Sequence, residues 1–303
     1  MAAGFGLSGQ PFVGADVGGF MGYAESEMFL RWMQYGVLTP FCRNHSMMGN
    51  VDQYAWSWGE AVLGHVRDAI GLRYRLLPYL YAAFVRASET GAPVQRPLVF
   101  DHQRDPAVRD IDDEYLLGPD LLVAPVLEPG QTARQVYLPA GEWLDWHTGE
   151  RHAGGRWIVA PTPMERIPLY ARAGAVIPMW PEAPPSTSGY HPAVVELHVV
   201  APTADGEWSS LLQEDDGLTL AALGGACRRT TLTLSRAGGE VTLAATVDGD
   251  GYPEFAREAF ELVLHGDAPD AIEAGGEPVP VREGRALIAN AGAAFTARWR
   301  AEG

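Results

Sequence analysis

Apolar positions change period along this chain of 303 residues. Over residues 24–37, Met28, Phe29, Trp32, Met33 and Val37 recur at helical spacing and share one broad face. Two short apolar runs flank that segment. Pro11–Ala15 runs up to Asp16, and Val37–Cys42 runs up to Arg43, Asn44 and His45; each predicts a buried strand. Strand, helix, strand is a βαβ unit with parallel strands. The opening residues, Met1–Gly9, predict the end of an amphipathic helix capped by Gly9.

An aromatic loop from Tyr54 to Trp58 comes next, then a long amphipathic helix from about Gly59 to Thr90. Val62, Val66, Ile70, Leu76, Leu77, Leu80, Tyr81 and Phe84 recur at helical intervals, with a kink expected at Pro78 and an end at Gly91 and Pro93. Beyond residue 93 the segments become short, alternating and β-branched. Leu121–Val126, Gln135–Leu138 and Trp157–Ala160 read as strands, and Asp145–Glu150 as a hairpin. Pro181–Pro185 is the linker candidate. Further strands are expected at Val194–Val200, Thr230–Ser235, Val241–Val247, Phe260–Leu264 and Ala293–Arg298.

Composition narrows the choice of function. Nearly half of the residues are apolar and a fifth are charged, the balance of a globular protein. No run of 18 or more apolar residues occurs, so no membrane span is expected. The net charge of −16 argues against nucleic acid and anionic membrane surfaces as partners. A neutral substrate is compatible with it. Every basic residue is Arg. Cys42 and Cys227 lie far apart and form neither metal-ligand spacing nor a disulfide framework. No basic and apolar leader opens the chain, which slightly favours the cytoplasm.

Working residues of parallel α/β sheets sit just past the C-terminal ends of strands. Asp16 follows the first predicted strand; Arg43 and His45 follow the second. All three therefore belong on one rim. Singly, each has a plainer reading: Asp16 as a turn or helix cap, Arg43 as its structural ion-pair partner, His45 as a satisfied loop histidine. Phe20, Tyr23, Trp32, Trp56 and Trp58 crowd the same region. Sugar rings stack on such faces, so Phe20 and Trp56 are candidate pocket walls, while Trp32, in mid-helix, reads as core. The acidic clusters Asp110–Glu114 and Glu214–Gly217 match no EF-hand loop and read as turns or solvated faces, with calcium binding the minor alternative. No phosphate-binding glycine loop, nucleophile elbow or zinc-protease motif occurs, and neither a metal nor a cofactor is expected.

Four strings are specific: Phe12 to Phe20 (FVGADVGGF), Thr39 to His45 (TPFCRNH), Arg73 to Tyr81 (RYRLLPYLY) and Tyr115 to Pro125 (YLLGPDLLVAP). In this order they resemble glycoside hydrolase family 31, the α-glucosidase family. Tyr137–Trp146 also resembles the family's first β-domain after its barrel. The resemblance covers residues 1–180 strongly and the remainder loosely. It implies α/β plus all-β architecture: the last two strands and helices of a (β/α)8 TIM barrel in residues 1–92, a proximal β-sandwich in 93–182 and a distal β-sandwich in 183–303. It further implies that Asp16, Phe20, Arg43 and His45 build part of the −1 sugar pocket, with His45 on a sugar hydroxyl. An α-linked glucoside or related oligosaccharide is the implied ligand.

One departure from the family stands out. Retaining glycosidases need two carboxyl groups roughly 5–5.5 Å apart. The family's nucleophile and acid/base motifs both precede the G-A-D string, and neither occurs here. No catalytic residue is therefore assigned. The chain is expected to begin near the helix before the seventh barrel strand, with Met1 as an internal start, and to need a missing N-terminal barrel half for activity. Two other readings remain. One is a non-catalytic carbohydrate-binding or scaffold protein of β-sandwiches; the other is a complete enzyme pairing Asp16 with a carboxylate such as Glu25.

Overall fold

The computed structural model describes residues 1–266 and 268–300. They divide into two compact units. The first holds residues 1–73 and 86–171, the second residues 74–85 and the described residues from 172 onward. Helix and strand are mixed in the first unit, and strands dominate the second.

The first unit opens with the helix α1 (Ala2–Leu7), after which the Gly9 N–H donates to the Gly6 carbonyl at 3.1 Å. The predicted βαβ unit follows, with β1 at Asp16–Val17, α2 at Ser26–Gly36 and β2 at Arg43–Asn44. The two strands are parallel, with Asp16 opposite Arg43 and Val17 opposite Asn44. They pair only with each other, and the described residues contain no closed barrel.

Both strands fall later than the apolar runs predict. Pro11 and Pro40 have no N–H to give to a ladder, which removes one donor from each run. Between them the Phe41 N–H donates once, to the Val13 carbonyl at 3.1 Å. The polar ends of the runs are what pair.

α2 buries Phe29 and Leu30 completely. Removing such side chains from water contributes about 1.5–3 kcal/mol each. Its last residue, Gly36, lies against β1: a Cβ there would sit 2.6 Å from Val17 Cγ2, so nothing larger fits.

The long helix expected from Gly59 to Thr90 is two helices, α3 (Glu60–Arg75) and α4 (Leu77–Thr90), rather than one kinked rod. Pro78 explains the break. It donates no hydrogen bond, and its ring would clash with the Tyr74 carbonyl four residues back. Near the start of a new helix the same residue costs nothing.

The rest of the first unit is β-structure. Strands 95–97, 115–117, 121–123, 169–172, 142–145 and 151–153 form one sheet in that spatial order. Strands 133–138 and 156–161 form a second, antiparallel pair. Leu116, Leu122, Trp143 and Tyr170 from the first sheet share a core with Val136, Leu138 and Ala160 from the second. The hairpin predicted at Asp145–Glu150 turns where Asp145 Oδ1 accepts the N–H groups of His147 and Thr148, at 2.8 and 3.0 Å.

In the second unit a four-stranded sheet orders strands 176–179, 194–200, 259–265 and 285–289. A six-stranded sheet orders 206–214, 228–237, 240–248, 295–300, 271–274 and 277–280. Leu197, Phe260 and Leu262 of the former share a single core with Leu234, Leu243 and Trp299 of the latter. All five strands predicted for this region are present, the first with the predicted bounds. Pro181–Pro185 lies in a stretch, residues 180–193, without helix or strand.

Candidate functional site

The site is built from two loops that leave the C-terminal ends of β1 and β2. The segment leading to β2 is held by its carbonyls. Arg73, on α3, donates Nη1 to the carbonyls of Val37 and Thr39 at 2.9 and 2.6 Å, and Nη2 to that of Pro40 at 2.9 Å. Tyr115 closes the same segment from another side, donating its hydroxyl to the Leu38 carbonyl at 2.9 Å. Three carbonyls on one guanidinium leave little freedom in where Arg43 emerges.

Arg43 and Asp16 open their strands, opposite each other, rather than following them as expected, and there they meet. Arg43 Nε donates to Asp16 Oδ1 at 2.9 Å, and its Nη2 donates to the same oxygen. Among the described residues Asp16 Oδ2 has no partner. The pair is open to solvent, with side-chain exposures of 49% for Arg43 and 20% for Asp16. The Arg43 guanidinium also lies 5.5 Å from the Phe41 ring.

Beyond the pair the chain turns through Gly18 and Gly19 to Phe20. The Phe20 ring stacks on His45, with centroids 5.6 Å apart and planes 26° from parallel. Both residues are exposed. The Phe20 carbonyl accepts from the Met47 N–H at 2.9 Å and from Asn50 Nδ2 at 3.0 Å, which ties the first loop to the second. Of the three residues expected on one rim, Asp16 and Arg43 are in direct contact, and His45 contacts Phe20, the candidate pocket wall.

Other expectations fare differently. Trp32 is not fully buried; its ring edge reaches the backbone of Gly19, where a Cβ would stand 3.6 Å away. Trp56 is 67% exposed and stacks on Tyr54, with centroids 4.9 Å apart. Glu25 is exposed at the N-terminus of α2. Pattern reading missed Arg73 and Gln53, which shape the loops. Arg73 lies in one of the four specific strings, so a signal existed; Gln53 stands in none.

The rim residues present the kinds of group that a polyol would bond to. Arg43 supplies donors, the bare Asp16 Oδ2 accepts a hydroxyl proton, and the aromatic stack offers an apolar face. No cluster of three or more metal-ligating side chains occurs among the described residues. None of the described helices is long and apolar enough to cross a membrane.

Residues 1–83 match the glycosyl hydrolases family 31 TIM-barrel domain, and residues 91–177 match the glycosyl hydrolase family 31 C-terminal domain. Alpha-glucosidase 2 of Bacillus thermoamyloliquefaciens is 32% identical over 280 residues, which is 90% of this chain and 35% of that protein. Mouse lysosomal alpha-glucosidase is 36% identical over 239 residues, 72% of this chain and 25% of that one. The chain thus spans about a quarter to a third of these relatives. Among solved structures, a Flavobacterium johnsoniae dextranase complexed with glucose superposes with a TM-score of 0.90 at 26% identity, covering 99% of this chain and 41% of that one. An α-xylosidase from Xanthomonas citri gives 0.81 at 30% identity, covering 97% and 32%.

Proposed function

Because the chain belongs to glycosyl hydrolase family 31, we propose that it is the C-terminal part of a retaining α-glycosidase that hydrolyses α-linked glucosides. In this reading residues 1–92 complete a (β/α)8 barrel as its last two strands, residues 93–182 form a proximal β-sandwich, and residues 183–303 form a distal one. Asp16, Phe20, Arg43 and His45 line the −1 sugar pocket. The nucleophile and the acid/base come from a further segment that completes the barrel.

The observation that carries this reading is the Asp16–Arg43 pair at the ends of two parallel strands, beside the Phe20–His45 stack. Relatives named alpha-glucosidases support the glucoside, and so does the glucose in the dextranase structure. The division of labour follows from the chemistry. A retaining mechanism needs two carboxyl groups roughly 5–5.5 Å apart, one attacking and one shuttling the proton. Asp16 is paired through Oδ1 with Arg43 instead, and among the described residues no second carboxylate is paired with it across a sugar-sized gap. Its role here is to orient the sugar and the arginine.

The test is hydrolysis of a chromogenic α-glucoside by the purified chain, alone and co-expressed with the N-terminal segment of a relative. Activity only in the presence of that segment is expected. Robust hydrolysis by the chain alone, abolished by Asp16→Asn, would overturn the assignment and make Asp16 a catalytic group.

A further inference from the structure

Gln53 is 5% exposed and lies between the two rim loops, reaching both. Its side-chain Nε2 donates to the carbonyls of Gly18 and Gly19, at 3.2 and 3.3 Å. Its own main-chain carbonyl accepts from Asn44 Nδ2 at 2.5 Å. One residue therefore grips the loop after β1, between Asp16 and Phe20, and also β2, between Arg43 and His45. The other end of the amide, Oε1, is buried and has no hydrogen-bond partner. A buried acceptor left bare is unfavourable, yet the opposite orientation is worse. Turning the amide over would set Oε1 against two carbonyl oxygens.

The neighbouring glycine fits the same arrangement. Gly18 has φ +85, and a Cβ on it would stand 2.2 Å from Gln53 Oε1. Only glycine lets the loop pass this close to the amide.

From this geometry we infer that Gln53 is the positioning residue of the rim: it sets the spacing between the Asp16–Phe20 loop and the Arg43–His45 strand end. It touches no sugar; it acts through the residues that do. The inference rests on the sugar-pocket reading for its catalytic consequence, whereas its structural consequence can be measured on the chain itself.

Two variants separate positioning from plain stability. Gln53→Met keeps the side-chain length and removes both donor bonds. Gln53→Glu keeps an oxygen at each amide position and sets a carboxylate against the glycine carbonyls. The first readout is NMR of the full chain. The His45 ring protons lie over Phe20 and carry its ring-current shift, which both variants are expected to move toward the values of an unstacked histidine. The second readout is hydrolysis by the chain joined with its barrel-completing segment. Here kcat/KM is expected to fall roughly 100-fold, with kcat falling as well as KM rising, as for an ångström-scale misplacement of pocket groups. Asn44→Ala, which cuts only the main-chain link, should give a smaller effect of the same kind.

Unchanged His45 shifts in both variants would overturn the inference, whatever the activity. So would a proportional loss of folded protein with normal kcat in the fraction that remains. Moved shifts with no hydrolysis by the unmodified assembly would leave Gln53 as the loop brace and would count against the glycosidase reading instead.

Discussion

Two of the arginine–carboxylate pairs among the described residues have opposite designs. On the rim, Arg43 spends two donors on one oxygen of Asp16, and both side chains face solvent. In the second unit Arg257 faces Glu214 fork to fork, with Nε on Oε1 at 2.9 Å and Nη2 on Oε2 at 3.0 Å. Its remaining nitrogen donates to the Asn290 carbonyl at 3.0 Å, and its guanidinium lies 3.7 Å from the centre of the Phe260 ring. Side-chain exposures there are 2% and 11%. Every polar atom of the buried pair is used, whereas the exposed pair keeps an acceptor in reserve. The two pairs thus differ in how completely their polar atoms are used, even though both join an arginine to a carboxylate.

The contrast breaks most sharply at the buried pair. Glu214→Ala strands a guanidinium in the interior and should cost about 3–5 kcal/mol of unfolding free energy, read by chemical denaturation. A loss below about 1 kcal/mol would mean that Arg257 finds water, and the two pairs would then differ less than their geometry says.

A buried carboxyl without an arginine on it sharpens the point through pH. Glu114 is 3% exposed; its Oε1 accepts from the Tyr137 N–H at 2.9 Å, and its Oε2 has no partner. Burial raises its pKa from 4.5 to about 7, against the pull of that N–H and of Arg134. The folded state therefore holds this proton more tightly than the unfolded chain does. Its contribution to stability is complete below pH 4.5 and is lost as pH rises through 7. Glu114→Gln should match the parent near pH 4.5 and exceed it above pH 7, by at most ~3 kcal/mol. Thermal unfolding across that range measures the difference, and parallel pH profiles would show that Glu114 titrates normally.

The smallest effect belongs to the rim. Asp16→Asn should change unfolding free energy by less than about 1 kcal/mol, because exposed pairs contribute little. A large thermal shift would place Asp16 among the structural carboxylates and weaken its role toward a sugar.

Periodicity was a good guide wherever burial alone decides structure. The distal strands follow their alternating residues, and α2 follows its apolar face. It failed where hydrogen bonding outranks hydrophobicity. Pro11 and Pro40 each remove a donor from the runs before the two rim strands, and Pro78 divides a helix that its apolar spacing makes continuous. The acidic clusters are turns and solvated faces in part, as Asp216 accepting the Leu218 and Thr219 N–H groups shows, but others of their members have distant partners or lie inside. Glu214 and Asp215 looked like a turn or a solvated face, yet the first is taken by Arg257 and the second by the Tyr81 hydroxyl at 2.7 Å. Glu114, from the other cluster, lies inside. Local sequence does not reveal a partner dozens of residues away. Asp16, Arg43 and His45 were legible because polar residues ending two successive apolar runs emerge at one edge, and Phe20 because aromatic residues crowd the same stretch and the family resemblance includes it. Gln53 was not, because nothing about a glutamine in an aromatic loop tells where its amide points.

The two-residue strands have a further consequence, one of inheritance. Opposed side chains are fixed by register alone, and β1 and β2 offer only two rungs to hold it. A one-residue insertion before Asp16 would bring Ala15 into the place opposite Arg43 and turn Val17, now wholly buried, away from the interior. The loop around Met47–Asn50 is held as well, because any length change there would have to keep the two bonds that Met47 and Asn50 give to the Phe20 carbonyl. The few residues around each rung therefore admit substitutions but no gaps.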